Sequence, residues 1–141
     1  MDINSLDRFI EAQEQMYAVA LEEIRNGEKR SHWMWYILPQ IRGLGMSSMA
    51  HTYGIAGLEE AKAYIAHPLL SARLIEISDV LLTLEKKNPE DIFGYVYAMK
   101  LRSSMTLFSL VSENNSVFHK LLQKYYSGEP DSMTLSLVKE S

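Results

Sequence analysis

Apolar residues spaced three and four apart recur along almost the whole chain, and no stretch shows the strict two-residue alternation of a half-buried strand. Phe9, Ile10, Met16, Tyr17, Ala20, Leu21 and Ile24 form the first stripe. Asn4 or Ser5 is placed to cap it, and Gly27 to end it in the left-handed conformation. Leu58, Ala61, Tyr64 and Ile65 form another stripe, stopped at His67-Pro68 because a residue before proline avoids helical angles. A long helix is then expected from Pro68 to about Lys87 over Leu69, Leu70, Leu74, Ile77, Val80, Leu81 and Leu84. Asn88-Pro89 reads as a cap followed by the proline that helices tolerate in their first turn. Ala98, Leu101, Met105 and Phe108 predict one more helix, and Val117, Phe118, Leu121, Leu122 and Tyr125 another. Shorter turns are expected after Ser47 or Ser48 and from Asp131. The fold class is therefore all-α, a single-domain irregular bundle of about six to eight helices over residues 1–141.

At 141 residues the chain is long enough to bury most of its apolar surface around one core. A net charge of -4 argues against general nucleic-acid binding, which requires a concentrated basic face. Cysteine is absent, which removes disulfides, thiolate nucleophiles and zinc-thiolate sites. His51, His67 and His119 are too dispersed for the local spacings of metal ligands, so no metal is expected, and no phosphate-cradling glycine motif calls for a nucleotide cofactor. The opening segment carries acids and no apolar run, and no segment approaches the roughly 20 apolar residues of a membrane span. A cytoplasmic protein without membrane attachment is the expectation.

Residues Lys29 to Arg42, KRSHWMWYILPQIR, hold both tryptophans beside a histidine, a tyrosine and several cations. With Ser31 to Leu38 as a helix stopped by Pro39, His32 and Tyr36 share one face, as do Lys29 and Trp33. Arg30 or Arg42 suits a carboxylate or phosphate, His32 titrates near neutrality, and Trp33, Trp35 or Tyr36 offers a face for stacking. The plainer alternative is that His32 donates to a buried carbonyl and both tryptophans are core. Trp33 and Trp35, two apart, should in either case differ in environment.

A second cluster, Lys100, Arg102, Ser103 and Ser104 with Thr106, lies on the helix of Leu101, Met105 and Phe108. Lysine three or four residues from serine can activate it as a nucleophile, provided the amine is desolvated and an oxyanion site waits nearby; neither condition is written in the sequence. An anion-binding group of cation plus hydroxyls, or serines bonded back to the preceding turn, are the other readings. The acidic pairs Glu22-Glu23 and Glu59-Glu60 read as solvated helix faces.

The segments KRSHWMWYILPQIRGLG, HTYGI, EAKAYIAHPLLSARL, KLRSSMTLF and FHKLLQKYYSGEPDSMTL, taken in order, resemble a bacterial family of small, all-helical conserved proteins of unknown function, sometimes labelled calpastatin-like. The resemblance implies one helical domain and carries no catalytic assignment. From the residues themselves the expected function is a small-molecule-binding module, with or without catalysis, for an anionic and planar compound such as a nucleotide. Arg30 with Lys100 or Arg102 would hold the anion, Trp33, Trp35 or Tyr36 would stack, and His32 and Gln40 would orient it, with Ser103 and Ser104 alongside. The alternative is a protein-interaction module whose aromatic and methionine residues form a groove for a partner the sequence does not specify.

Overall fold

The computed structural model describes residues 5–140. Eight helices run in order among them: α1 (Asp7–Arg25), α2 (Met34–Ile37), α3 (Ser48–Tyr53), α4 (Leu58–Ala66), α5 (Pro68–Thr83), α6 (Glu90–Ser109), α7 (Val117–Tyr126) and α8 (Ser132–Glu140). No strand forms among the described residues; Ile41 and Ile55 make one isolated parallel bridge, with Arg42 N donating to Ile55 O and Ile55 N to Gln40 O, each at 2.8 Å. α7 lies between α5 and α6, α1 packs on α5 and α2, α4 touches α5 and α6, and α8 lies on α6. Phe9, Trp33, Tyr64, Leu70, Ile77 and Phe108, all fully or almost fully buried, belong to one hydrophobic core shared by these helices.

Most helix ends follow the sequence. Gly27 is left-handed at φ 74° after α1, Ser47 Oγ accepts from Ala50 N, and Asn88 Oδ1 accepts from Glu90 N. Ser5 Oγ accepts from Asp7 N at 3.1 Å, whereas Asn4 lies outside the described residues. His67 Nδ1 takes the free amide of Leu70 at the start of α5. Asp131 does more than start a turn: its carboxylate accepts from the amide and hydroxyl of Thr134 and so opens the nine-residue α8.

Two helices differ from expectation for identifiable reasons. α5 ends at Thr83, short of Lys87, because the Lys124 ammonium of α7 donates to the carbonyls of Leu81, Leu82 and Leu84. A cation from a neighbouring helix thus supplies the donors that a further helical turn would have provided. α6 begins eight residues before Ala98 and kinks at Gly94, where φ is 78° and ψ 170°. A Cβ at Gly94 would meet nothing within 4 Å, so the backbone angle, not crowding, favours glycine there.

Glu60 is not a solvated residue. Its side chain is 10% exposed and forms a two-pronged pair with Arg8, itself 3% exposed, at 2.8 and 2.9 Å. The remaining guanidinium donors reach the carbonyls of Ser5, Thr52 and Gly54, so five hydrogen bonds use all the N–H groups of the fork. Gly54 also lets the Arg42 backbone come close, since a Cβ there would lie 2.7 Å from Arg42 Cα. Glu59, by contrast, is exposed and pairs loosely with Lys62 at 3.5 Å. Replacing Glu60 by Gln removes the counter-charge of a buried cation, so Glu60→Gln should lower unfolding free energy by about 3–5 kcal/mol in urea titration. Glu59→Gln should stay within about 0.5 kcal/mol of the parent.

Candidate functional site

The Glu23 carboxylate on α1 organises the segment that follows the helix. Its Oε1 accepts from the amides of Arg30 (2.8 Å) and Ser31 (2.9 Å) and from the Trp33 indole Nε1 (2.9 Å), and its Oε2 accepts from the Ser31 hydroxyl. Burial opposes ionisation, but the bonds from Ser31, Arg30 and Trp33 outweigh it and hold the Glu23 pKa down to about 2. Sequence inspection took Glu22-Glu23 for a solvated face and missed this. The same bonds explain why the helix expected from Ser31 to Leu38 shrinks to the single turn α2: amides that would begin it are spent on Glu23, and Pro39 follows at once.

Clamping residues 30–33 decides where the aromatic rings go. Trp33 is fully buried, whereas Trp35 is only partly buried, so the two indoles differ as expected. Tyr36 turns inward at 7% exposure, its ring 5.3 Å from Tyr53 and its hydroxyl on His32 O at 3.3 Å. His32 itself is exposed, and Arg30 projects outward at 74% exposure with Glu28 at 3.5 Å. Lys29, just before the clamp, is directed over two rings: its Nζ lies 4.0 Å from the Tyr97 centroid and 4.9 Å from that of Trp33, while donating to Ser31 O.

On the other side of Tyr97 in the chain, Lys100 places its Nζ 5.3 Å from the same ring and 5.5 Å from Trp35. Among the described residues it makes no hydrogen bond and no ion pair. Burial lowers the pKa of both amines; for Lys29 the Glu23 charge opposes this and the Lys100 charge adds to it. Lys100 opens onto a groove of about 280 Å³ between α6, α8 and the loop after α2, whose lining includes Gln40, Leu44, Met99, Arg102, Ser103 and Asp131. The Val96, Met99 and Met133 side chains on its rim are more than half exposed.

Of the ten residues singled out from sequence, Gln40, Lys100, Arg102 and Ser103 line this groove, and Trp35 reaches it through Lys100. Arg30 and His32 do not line it, Trp33 and Tyr36 are core, and Ser104 is fully buried with a hydroxyl that finds no partner. Arg102 is partly engaged by Glu129, through the backbone oxygen at 3.0 Å and the carboxylate at 3.3 Å. Ser103 Oγ donates to Met99 O or Asp131 Oδ2, each at 3.2 Å, and no bond joins it to Lys100, so an activated serine is not assembled. Tyr97 was not singled out, although a tyrosine three residues from Lys100 was the available signal; Lys29 was noted only as sharing a face with Trp33, and Asp131 only as the start of a turn.

A larger depression, about 660 Å³, is lined by Leu6, Leu58, Ala63 and Val138 with Glu59 and Glu60. Its charged groups are acids, Glu60 paired with Arg8 and Glu59 loosely with Lys62, so it offers an anion nothing. No group of three or more His, Asp or Glu able to hold a metal occurs among the described residues, and no helix among them is long and apolar enough to cross a membrane.

Residues 3–138 match the family described as protein of unknown function, DUF1810. The chain belongs to that family. A solved structure, titled as the conserved hypothetical protein Rv1873 from Mycobacterium tuberculosis, superimposes with a TM-score of 0.93 at 46% sequence identity, covering 98% of this chain and 99% of that one. No curated protein matches. The fold is thus shared with a solved structure of comparable length, and neither name carries an activity.

Glu23→Gln tests the clamp. The carboxylate's folded pKa lies below its ordinary value of 4.5, so its contribution to stability is full above that value and is lost as pH falls towards about 2. At pH 7 the variant should be less stable by about 1–3 kcal/mol. The difference from the parent should shrink through that acid window when unfolding is followed by denaturant titration at successive pH values.

Proposed function

We propose that this protein is a small-molecule-binding module for an anionic, planar or otherwise flat apolar compound, seated in the groove between α6, α8 and the Gln40–Leu44 loop. The observation that carries this is the state of Lys100. Its ammonium is half-buried against two aromatic faces with no ion-pair partner among the described residues, in a groove where Leu44, Val96, Met99 and Met133 are the apolar lining and Gln40, Arg102, Ser103 and Asp131 the polar one. Holding a cation there costs solvation that cation–π contact only partly returns, and an anion entering the groove supplies the remainder. Gln40 and Ser103 would orient the ligand, Arg102 would add a second positive charge once it yields Glu129, and Trp35 would present its edge or face to the planar part. Asp131 also lines the groove, its Oδ2 accepting from the amide and hydroxyl of Thr134 and from Ser103, and its charge weighs against an anion on that side.

This reading drops Arg30 and His32 from the binding set, since both stand at the surface outside the groove. A second reading is favoured by the exposed rim: Val96, Met99 and Met133 at 56–59% exposure are the residue types that protein interfaces enrich around a buried anchor.

Thermal shift separates the two. A fitting ligand at about a hundred times its Kd should stabilise the folded state by about 2.7 kcal/mol, raising the melting temperature by roughly 5–10 °C for a chain of this size. In a panel of inorganic phosphate, nucleotides, sugar phosphates and aromatic carboxylates, at least one aromatic or nucleotide anion should give such a rise. Lys100→Gln should abolish it and Arg30→Ala should leave it. No shift across the panel, or a shift that survives Lys100→Gln, rejects the ligand reading and leaves the rim to a protein partner.

A further inference from the structure

Two lysines share one aromatic ring at the head of the groove, an arrangement that neither simple anion binding nor packing requires. Lys29 and Lys100 place their ammonium nitrogens 4.0 and 5.3 Å from the centroid of Tyr97, and each also lies over a tryptophan, Trp33 for Lys29 and Trp35 for Lys100. Neither forms an ion pair among the described residues. Burial lowers the proton affinity of both amines, and the two differ in what supports their charge. Lys29 donates to Ser31 O and feels the Glu23 carboxylate, so its charge is supported; Lys100 has neither support and faces the open groove. A desolvated lysine beside a second cation is the arrangement that makes an amine nucleophilic near neutrality.

We infer that Lys100 is a covalent capture site, forming a reversible imine with a ligand that carries an aldehyde or ketone as well as the anionic, flat body proposed above. The inference rests on that binding reading and adds the reactive group. The Lys100 nitrogen lone pair attacks the carbonyl carbon, a C–N bond forms, and the carbonyl π pair moves to oxygen, which takes up, through solvent, the first proton that nitrogen sheds. The carbinolamine hydroxyl then takes a proton from solvent and leaves as water as the nitrogen lone pair forms the C=N bond; the resulting iminium persists or returns its N–H proton to solvent to give the neutral imine. One water is released for each imine formed, nothing is oxidised or reduced, and hydrolysis reverses the step. Leu44, Val96, Met99 and Met133 give the adduct an apolar flank. Burial lowers the proton affinity of Lys100, and the charged groups around it are Lys29 from the segment after α1, with Glu23 behind it, Arg102 on its own helix and Asp131 at the start of α8.

The probe is para-formylbenzoate, a flat anionic aldehyde, trapped with cyanoborohydride and mapped by peptide mass spectrometry on the full-length chain. Its alcohol analogue, para-hydroxymethylbenzoate, has the same body without the carbonyl. The expected result at pH 7 is an adduct concentrated at Lys100, faster than at the exposed Lys62, suppressed by excess of the alcohol and absent in Lys100→Arg. Lys29→Gln should move the pH midpoint of trapping upward, and Lys29→Arg, which keeps the cation, should leave it in place. Circular dichroism confirms that each variant is folded, and the alcohol competition in the parent protein needs no variant at all. Adducts spread over exposed lysines, an adduct at Lys100 that the alcohol does not suppress, or a midpoint unmoved by Lys29→Gln overturns the proposal. If the alcohol raises the melting temperature through Lys100 but the aldehyde leaves no preferential adduct there, covalent capture fails while anion binding stands. If neither compound acts at Lys100, the two fall together.

Discussion

Four hydrogen bonds to the Glu23 carboxylate bend the chain after α1 back over the body of the protein, and the groove depends on that bend. By accepting from Arg30, Ser31 and the Trp33 indole, the carboxylate fixes residues 30–33 against α1 and commits Trp33 to the core. Lys29, one residue before the clamp, is thereby held over Tyr97, and its own amide is tied to Ile92 O at 2.8 Å, just ahead of the Gly94 kink. A partly buried charge on the first helix therefore sets the position of a cation next to the sixth. The Arg8–Glu60 pair does comparable work on the far side, gathering Ser5, Thr52 and Gly54 around one guanidinium, yet it has no outlet to the groove.

The consequence for chemistry follows from what these anchors leave unpaired. Buried or half-buried cations elsewhere in the chain are well supplied: Arg8 has a carboxylate and three carbonyls, and Lys124 has three carbonyls at the end of α5. Lys100 has ring faces only. Burying an ammonium without an ion-pair partner is unfavourable, and the binding proposal rests on this contrast between Lys100 and the better supplied Arg8 and Lys124.

The fold was legible because periodicity reports on local burial, which each helix carries in its own residues. The stripes from Phe9 to Ile24 and from Val117 to Tyr125 fall on α1 and α7, and Ser47, Asn88 and Asp131 mark helix starts through their own side chains. What misled was anything decided across the chain. The short α2 is explained by Glu23, eleven residues upstream, the early end of α5 by Lys124 from two helices later, and the burial of Glu60 by Arg8. The candidate site was half legible for the same reason: residue type drew notice to both clusters, but only the clamp shows that Lys29 and Trp35, not Arg30 and His32, connect the aromatic segment to Lys100.

The central claim is that Lys100 and Lys29 form a desolvated, mutually repelling pair around Tyr97. A pH titration of the lysine side-chain resonances by NMR, on protein labelled at the lysine ε-carbon, addresses it directly. The account predicts that Lys29, Lys100 and Lys124 titrate below the remaining lysines, that Lys124 is indifferent to changes at Tyr97, and that removing either Lys29 or Lys100 raises the other's titration point. Eight lysine resonances titrating together near the ordinary value, with no response of one amine to loss of the other, would contradict it.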